Sequence, residues 1–551
     1  MITTKLYRKN WTTHDGVSTI GWAEWQGKNY TGEDFCRMIV RETNKQVAKL
    51  FQLIMELNGS FAIVIRHQYY IILFTDHIRS YPLYYIKKEG KTYITDLLPP
   101  LFREYGLHPE PDIRNAEIFL TAGLTLEDHT IYKEVYSPQA AEMVEVYEGE
   151  YETIKWRYYS YEIDPSETRE LCLEEEVGKQ NEIFERAFRR TINSAPEVRN
   201  WVLPLSGGHD SRMVIHQMHK LGVKNLVCYS YGEPGNKQSR LSEEVARKLG
   251  YAWHFVAYTP EKWKNLRESS VFNEYFDFAF NGVSDPHIQD LLAVAELKRE
   301  GIVQPGDIFV PGHTFDFLAG AYCLEGIEDL RTDKDIYRYL SPYFNQWEYA
   351  GRNRTVFKEL TAMIKESGLK GAAFTEYFHW QERHAKFIQN SVRVYEYFGF
   401  DWRTPLWDVE LMKYWQKIPL KYKKQRNFLF LCEKNGLYTE PLASIPFDSE
   451  TEQATGIKEK LLATLPASWK RKLKYHLRKE TPHSDDALYT LYAADHLLFP
   501  DGMPYRQLPK ALRRYLKPYL GRPLHWFPDN DNNTLYAMRE LFPADRANPK
   551  K

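Results

Sequence analysis

The chain has 551 residues, a length that suits two or three domains better than one. Apolar residues make up 43% and charged residues 27% of it, ordinary proportions for a globular protein with a sizeable core. The formal net charge is −1, so no overall electrostatic field favours nucleic acid or a membrane surface as a partner.

The cysteines and the first residues predict where the protein resides. The five cysteines are scattered and contain no C-x-x-C pair, which argues against a zinc ribbon or a redox dithiol. Such a sparse, odd set is typical of reduced thiols in a cytosolic protein. Residues 1–10 lack the apolar segment of a signal peptide, and no apolar run approaches the ~20 residues that span a bilayer. We therefore expect a cytoplasmic protein.

Residues 1–165 are predicted to form a mostly β domain. Short apolar runs bounded by turn residues predict strands at 61–65, 69–74, 81–86 and 92–95, with more within 141–159. One helix is predicted from Gly32 to Lys49. The composition turns polar around 162–173, which places a domain boundary there.

Residues 174–551 are predicted to form a second domain, with a core at 195–435 and a helical C-terminal extension at 436–551. A helix is predicted first, from Glu174 to Asn193. Strands and helices then alternate, with strands at 201–205, 225–231, 251–256 and 307–311 and helices at 210–220 and 237–249. Such alternation indicates a parallel sheet covered by helices, so the fold class is α/β.

The string Ser206-Gly-Gly-His-Asp-Ser211 lies between a predicted strand and a predicted helix. The start of a helix presents free backbone N–H groups and the positive end of its dipole, which together bind anions. Gly207 and Gly208 allow a tight approach to phosphate oxygens, and the two serines add hydroxyl donors. A carboxylate at Asp210 would repel phosphate unless a divalent cation lay between them, which suggests a Mg²⁺ ligand. The simpler alternative is a Gly-Gly turn that caps a helix.

The S-G-G-x-D-S string resembles the pyrophosphate loop of the ATP pyrophosphatase group. That group includes asparagine, β-lactam, NAD and argininosuccinate synthetases, lasso-peptide cyclases and tRNA thiolation enzymes. The resemblance implies ATP as the nucleotide, release of pyrophosphate and an adenylated intermediate. It also implies an adenine-nucleotide α-hydrolase-like sheet, with ATP contacts at Leu205, Ser206, Gly207, Gly208, Asp210 and Ser211.

Residues 312–322 narrow the resemblance to asparagine synthetases and β-lactam synthetases. Gly312, Asp316, Leu318, Gly320 and Tyr322 match the segment G-x-G-x-D-E-L-F-G-G-Y of asparagine synthetases. The resemblance implies that Asp210 and Asp316 together hold Mg²⁺. It also implies that Gly312 contacts ATP, and that Tyr231 and Gly232, at the end of the second strand, contact the adenine.

Three further residues are candidates for catalysis. Residues 403–408 and Pro419 resemble the family segments that precede a catalytic lysine, and the best alignment places Arg426 there, with Lys424 as the alternative. A cation at that position would stabilise the charge that builds on the α-phosphate. His313 stands where asparagine synthetases carry Glu and β-lactam synthetases Tyr, so it is either the base that deprotonates the amine or a structural histidine.

Residues 58–62 and 76–85 resemble two segments of the glutaminase half of asparagine synthetases. The resemblance implies an Ntn-type (N-terminal nucleophile) α-β-β-α sandwich. That glutaminase needs an N-terminal cysteine, whereas this chain begins Met1-Ile2, Cys36 falls inside a predicted helix, and the family's R-G-P-D and N-G-E-I-Y-N strings are absent. We therefore expect a degenerate glutaminase-like domain that does not hydrolyse glutamine.

These features predict an ATP-dependent, AMP-forming ligase that adenylates a substrate carboxylate and then forms an amide. The substrates would be a small-molecule or peptide carboxylate and an amine or ammonia, with no nucleic acid and no membrane as partners. One alternative is an intramolecular amide cyclase of the lasso-peptide or β-lactam type, and another is an inactive ATP-binding scaffold. The substrates and the oligomeric state are not predicted.

Overall fold

The structure, a computed structural model, describes residues 2–149, 152–344 and 354–447. From residue 448 onward, the predicted helical C-terminal extension lies outside the described residues. Within the described ranges, every helix is too short or too polar to cross a membrane.

The N-terminal half contains two β-sheets and four helices. The helices are α1 (Gly32–Thr43), α2 (Val47–Glu56), α3 (Leu98–Tyr105) and α4 (Ile113–Ala122). The strands are β1 (Ile2–Lys5), β2 (Thr12–His14), β3 (Val17–Trp25), β4 (Lys28–Thr31), β5 (Asn58–Arg66), β6 (Tyr70–Thr75), β7 (Tyr84–Lys88), β8 (Lys91–Thr95), β9 (Val135–Tyr136), β10 (Glu142–Tyr147) and β11 (Ile154–Arg157). The larger sheet has the order β11-β10-β6-β5-β3-β2 with β4 beside β3, and the smaller has the order β1-β8-β7-β9.

These elements stack as an α-β-β-α sandwich. Alternate residues of β5 face opposite ways, as the period of a strand requires. Ile63 and Ile65 pack against α1 and α2, whereas Val64 packs in the core that joins the two sheets. On the far side of the smaller sheet, Tyr84 packs against Leu98 of α3. The predicted sandwich architecture is confirmed.

The helix predicted from Gly32 to Lys49 is two helices. α1 ends at Thr43, and Asn44 and Lys45 both adopt positive φ angles, of 47° and 58°. The Thr43 hydroxyl donates to the carbonyl of Ile39 at 2.6 Å and accepts from the N–H of Lys45 at 3.0 Å. The side chain thus replaces helical hydrogen bonds with local ones and ends the helix, which the apolar periodicity alone does not reveal.

The second half is built on a parallel sheet with helices around it. Its strands are β12 (Trp201–Pro204), β13 (Leu226–Gly232), β14 (Ala252–Ala257), β15 (Ile308–Phe309) and β16 (Asp401–Trp402). Its helices are α5 (Leu173–Asn193), α6 (His209–Lys220), α7 (Lys237–Leu249), α8 (Pro260–Glu268), α9 (Ser270–Phe280), α10 (Leu291–Arg299), α11 (Phe315–Ala319), α12 (Asp333–Phe344), α13 (Arg354–Ser367), α14 (Gly371–Phe378), α15 (Arg393–Tyr397), α16 (Val409–Gln416), α17 (Leu420–Lys423) and α18 (Asn427–Cys432). Short 3-10 helices lie at Ile327–Asp329, Gln389–Val392, Pro405–Trp407 and Lys424–Arg426, and π-helices at His379–Ile388 and Glu433–Leu437.

The order of the parallel sheet positions the site. The strands run β14-β13-β12-β15-β16, so β12 has a neighbour on each side, β13 and β15, and the direction of winding reverses between β12 and β15. In open α/β sheets, ligands bind in the crevice at the carboxyl ends of the strands where the order reverses. The predicted α/β fold class is confirmed, and the loops after β12, β13 and β15 lie at this carboxyl edge.

The two halves pack together through apolar and polar contacts. Leu83 of the sandwich and Phe309 of β15 belong to one hydrophobic core. Arg8 forms an ion pair with Glu396 at 3.0 Å, and the Asn58 amide donates to Asp408 at 3.0 Å. The predicted boundary at residues 162–173 falls between β11 and α5.

Candidate functional site

The loop after β12 is held in shape by its own serines. The Ser206 N–H donates to the Ser211 Oγ at 3.1 Å, and the two serine Oγ atoms are also 3.1 Å apart. The Gly208 N–H donates to the Ser206 Oγ at 3.2 Å, and Gly208 is the N-cap of α6. Leu205, which is buried, anchors the loop by donating its N–H to the carbonyl of Tyr229 at 2.8 Å. The loop therefore presents the start of α6 at the carboxyl edge of the sheet.

Asp210 and Asp316 face each other at this edge. Asp210 lies in the first turn of α6, and Asp316 lies in the first turn of α11. The Asp316 N–H donates to the Asp210 Oδ2 at 3.3 Å, and the Phe317 N–H donates to the Asp316 Oδ1 at 2.7 Å. Burial raises the pKa of both carboxyls, and the charge of Asp316 raises the pKa of Asp210 further.

A divalent cation fits this pair of carboxylates. Two acids that are kept partly from water and repel each other are stabilised by a positive charge between them. Carboxylate oxygens are the ligands that Mg²⁺ prefers, and Mg²⁺ commonly takes one or two of them together with substrate phosphates and waters. Across the described ranges, no group of three or more His, Cys, Asp or Glu could hold a metal by itself. Asp210 and Asp316 would therefore hold Mg²⁺ together with a phosphate-bearing substrate.

Gly312 brings the two loops into contact. A Cβ at this position would lie 2.7 Å from the backbone nitrogen of Ser211 and 2.8 Å from the carbonyl carbon of Asp210. Only glycine allows the loop after β15 to approach the start of α6 so closely.

Gly312→Ala is expected to weaken the binding of Mg-ATP about tenfold, since overpacking that costs about 1–3 kcal/mol must push the loops apart. Isothermal titration calorimetry with Mg-ATP measures the change. Gly178→Ala is the matched control, because a Cβ at Gly178 in α5 meets nothing within 4 Å. Unchanged affinity in Gly312→Ala would show that the close approach is irrelevant to nucleotide binding.

Arg426 is the predicted cation whose charge acts on the carboxylate pair. Its charge lowers the pKa of both Asp210 and Asp316, against the effect of burial. Lys424 lies in the same 3-10 helix but points elsewhere, because its Nζ pairs with Glu325 at 3.1 Å and Glu328 at 2.7 Å. The structure therefore favours Arg426 over Lys424 as the cation whose charge acts on the two carboxyls.

The approach of α11 to residues 423–425 sets the position of Arg426. Gly320 ends α11 with φ of +95°, and a Cβ there would lie 2.2 Å from the carbonyl oxygen of Lys423. The Gln425 N–H donates to the carbonyl of Cys323 at 2.9 Å. These backbone contacts attach the segment that carries Arg426 to the helix that carries Asp316.

A second arginine, Arg383, was not predicted from the sequence. Its charge lowers the pKa of Asp316, and its Nε donates to the Tyr322 hydroxyl at 3.3 Å. It lies in the π-helix His379–Ile388, a type of helix that is frequent at functional sites. In the sequence it stands among charged residues, which resemble the solvated face of a helix, yet its neighbours Glu382 and His384 are buried. The sequence signal that could have indicated Arg383 is a dense run of charged residues within an apolar region.

His313 follows β15 and contacts Ser391. The Ser391 Oγ lies 3.3 Å from the His313 Nδ1 and 3.2 Å from the Nε2. Burial lowers the pKa of His313 to about 4, with a further decrease from His287 and an opposing effect of Asp290. His313 is therefore neutral at neutral pH and has a lone pair to accept a proton. Ser391 was not predicted from the sequence.

The predicted adenine contacts, Tyr231 and Gly232, lie at the carboxyl end of β13. The Tyr231 ring stacks on Tyr258, with centroids 5.0 Å apart, and its hydroxyl donates to Asp290 at 2.5 Å. The Gly232 carbonyl accepts from the N–H of Tyr258 at 2.9 Å. Both residues border the crevice, but their polar atoms already have partners within the protein.

Comparison with known proteins finds only distant structural similarity. No protein-family model and no curated protein sequence matches the chain. The U34-tRNA thiolase NcsA from Methanococcus maripaludis is 17% identical, covers 56% of this chain and 80% of its own, and has a TM-score of 0.21. An NH3-dependent NAD synthetase from Campylobacter jejuni is 12% identical, and the match has a TM-score of 0.20. It covers 41% of this chain and 96% of the synthetase.

A third similar structure is the glutamine phosphoribosylpyrophosphate amidotransferase from B. subtilis. It is 10% identical, covers 45% of this chain and has a TM-score of 0.19. The match spans 62% of the length of that amidotransferase, which is less than two thirds. TM-scores this low transfer no function to the chain, so its chemistry is argued from the geometry of the site.

Proposed function

We propose that the chain is an ATP-dependent ligase of the asparagine synthetase type that forms an amide and releases AMP and pyrophosphate. The observation that carries the proposal is the pair Asp210 and Asp316, which face each other beside the Ser206–Ser211 loop. The charge of Arg426 acts on this pair. Anion donors, two carboxylates and a cation at one sheet edge suit the binding and cleavage of a nucleoside triphosphate.

In the first step, the loop would bind the phosphates through backbone N–H groups and the serine hydroxyls. Mg²⁺, when bound by Asp210 and Asp316, would neutralise charge on the phosphates. An oxygen of the substrate carboxylate attacks the α-phosphorus, the bond between the α- and β-phosphates breaks, and pyrophosphate leaves. The Arg426 guanidinium would stabilise the charge that develops on the phosphates through charge-assisted hydrogen bonds.

In the second step, an amine attacks the carbonyl carbon of the acyl-adenylate. The new C–N bond forms, the bond from that carbon to the phosphate oxygen breaks, AMP leaves, and the amine loses one proton. His313 is the candidate acceptor of that proton, because it is neutral at neutral pH and lies on the loop between β15 and Asp316. Ser391, within hydrogen-bond distance of the ring, would orient it.

The burial and protonation of Cys36 indicate that the sandwich domain does not hydrolyse glutamine, so the amine would come from another source. Cys36 is fully buried in α1, and its Sγ donates to the carbonyl of Thr12 at 3.2 Å. Burial raises the pKa of its thiol, which disfavours the nucleophilic thiolate. A buried, protonated thiol inside a helix is unsuited to attack an amide, so the sandwich domain would serve as a scaffold.

The proposal is tested by measuring pyrophosphate release from Mg-ATP with a panel of carboxylates, followed by hydroxylamine, which traps an acyl-adenylate as a hydroxamate. Release that requires Mg²⁺ and one carboxylate class is the expected result. ATP binding without release across the panel would favour the inactive scaffold. Release followed by a product formed from a single substrate would favour the intramolecular cyclase.

Arg426→Met is expected to lower the rate of pyrophosphate release about 100-fold, the effect typical of losing one charge-stabilising donor. Lys424→Met, the matched control, should stay within about twofold, because an exposed ion pair such as that with Glu328 contributes little. Steady-state kinetics on both variants decides between the two cations. A larger loss in Lys424→Met would reverse their roles.

A further inference from the structure

Three tyrosine hydroxyls converge on the carboxylate of Asp290. The Tyr231 hydroxyl donates to the Oδ1 at 2.5 Å, and the Oδ2 accepts from Tyr395 at 2.9 Å and from Tyr229 at 3.1 Å. Tyr229 and Tyr231 come from β13, Tyr395 comes from α15, and Asp290 directly precedes α10. We call these four residues the Asp290 cluster.

The cluster carries one negative charge. A phenol is too weak an acid to give up its proton to a carboxylate. Burial raises the pKa of all three tyrosines well above the ordinary value, so each of them stays a neutral donor. In the described part of the chain, Asp290 accepts hydrogen bonds from the three phenols and pairs with neither a lysine nor an arginine.

Two members of the cluster keep some exposure to solvent. Tyr229 and Tyr395 are fully buried, with 0% and 1% of their surface exposed, whereas Asp290 and Tyr231 are only half-buried. His313 is half-buried as well and lies close enough for the charge of Asp290 to raise its pKa against the effect of burial. Asp290 is thus partly accessible, and its charge acts on the histidine that is proposed to accept a proton of the amine.

We propose that the Asp290 cluster binds the protonated amine of the acceptor substrate, which gives up one proton to water before its nitrogen attacks and passes a second to His313 as the amide forms. This inference rests on the proposed function and specifies that the amine substrate binds with a positive charge. An anion held by phenols attracts a cation and repels the carboxylate substrate and the phosphates, which the other end of the crevice attracts. The sheet edge would thus be divided, with the anions at α6 and the ammonium group at Asp290.

The division also changes the role predicted for Tyr231. The sequence predicts an adenine contact there, but in the cluster its hydroxyl is bound to Asp290 at 2.5 Å. A carboxylate held by three phenols suits an ammonium group, which either the ammonium ion itself or an organic amine supplies. The test therefore includes both the ammonium ion and an organic amine.

The test uses the full chain and compares the wild type with Asp290→Asn, which keeps the size of the side chain and removes its charge. Ammonium chloride and methylammonium chloride are the two charged acceptors, and hydroxylamine, which is uncharged at neutral pH, is the control acceptor. Exchange of labelled pyrophosphate into ATP reports the first step separately. It uses the carboxylate that the pyrophosphate-release assay identifies as a substrate.

Asp290→Asn is expected to raise the KM for the charged acceptor about 10- to 100-fold, the range for losing a hydrogen bond to a charged partner. Hydroxamate formation and pyrophosphate exchange should fall far less, because neither needs a cation at Asp290. The wild type's preference between ammonium chloride and methylammonium chloride identifies the source of the amine.

Equal KM values for wild type and variant with both charged acceptors would overturn the inference, as would an equal loss with hydroxylamine. Tyr231→Phe, which keeps the carboxylate and removes one phenol, should bind the charged acceptor more weakly than wild type but better than Asp290→Asn. This variant keeps the test valid if Asp290→Asn does not fold. Tyr397→Phe is its control, because the Tyr397 hydroxyl binds Glu274 in an exposed position.

The two proposals fail in different ways. Absence of pyrophosphate exchange in the wild type with every carboxylate would count against the ligase reaction. Calorimetric titration of methylammonium chloride into the wild type and Asp290→Asn would then still test the binding site. Equal heats for both proteins would overturn the inference.

Discussion

Asp210→Asn is expected to reduce pyrophosphate release about 1000-fold and at the same time to raise the melting temperature of the ligand-free protein. The loss of activity follows because a neutral amide is a poor ligand for Mg²⁺ and leaves Asp316 alone to hold the metal. The gain in stability follows because Asp210 is a carboxyl whose pKa is raised by burial and by Asp316. Removing its charge relieves that repulsion.

The stability gain has a defined pH dependence. A carboxyl whose pKa is raised in the folded state destabilises that state where it ionises. The destabilisation is absent below the ordinary carboxyl pKa, grows as the pH rises towards the raised pKa, and is complete above it. The difference in melting temperature between Asp210→Asn and wild type should therefore be larger at pH 8 than at pH 4.

Thermal melts at both pH values, with and without Mg-ATP, measure these effects. Mg-ATP should stabilise the wild type, because a ligand that binds the folded state raises its stability, and should hardly stabilise the variant. Asp329→Asn, which changes an exposed acid near the site, is the control and should behave as wild type. A variant that is less stable than wild type at pH 8 would contradict the assignment of a repelling pair.

Lys423→Met is expected to destabilise the protein by about 3–5 kcal/mol, the cost of removing one partner of a buried ion pair. The Lys423 Nζ lies 3.1 Å from the Glu376 Oε2 and 3.0 Å from the Tyr161 hydroxyl, and both charged side chains are 0% exposed. Burial lowers the pKa of Lys423, but Tyr161 and Glu376 outweigh it and raise that pKa above the ordinary value. The ammonium is therefore charged, and without it the Glu376 carboxylate would be buried alone.

Chemical denaturation of three variants tests this prediction. Lys423→Met combined with Glu376→Leu should recover most of the loss, since replacing both partners by apolar groups leaves no buried charge. Lys424→Met is the control and should change the free energy of unfolding by less than about 1 kcal/mol. Equal destabilisation by the single and double variants would mean that packing, not the unpaired carboxylate, causes the loss.

The strength of this pair bears on the site as well as on stability. The carbonyl of Lys423 is the atom that a Cβ at Gly320 would strike, and Arg426 follows three residues later. The buried pair thus fixes the segment from which Arg426 extends towards the carboxylates. Lys423 is a positioning residue, and pyrophosphate release in the variant should fall through kcat more than through the KM for ATP.

Much of the parallel-sheet half could be predicted because its signals are local. The order from β12 to β14, with α6 and α7 between the strands, agrees with the prediction to within one residue at every end. Apolar runs, helical spacing and a glycine after each helix are all read over short windows. The break between α1 and α2 was missed because it depends on one threonine side chain and two left-handed residues.

The two acids of the candidate site were predicted from sequence motifs. Asp210 and Asp316 are 106 positions apart, yet they meet because β12 and β15 are paired neighbours and each is followed by a loop at the same sheet edge. Arg383 and Ser391 reach the same edge from the π-helix and the 3-10 helix that follows it. No local periodicity predicts such helices, so these residues could be found only by their contacts.

The sequence by itself determined the α/β alternation, and it predicted the Ser206–Ser211 loop and the two acids as a candidate site, because each prediction depends on residue types at short spacing. Only the tertiary structure showed that the charge of Arg426 acts on those acids while Lys424 pairs with Glu328, and that Asp290 accepts hydrogen bonds from three phenols. The physical reason is that a side chain's direction, burial and charged neighbours come from segments far apart in the chain, whose packing no single stretch of sequence encodes.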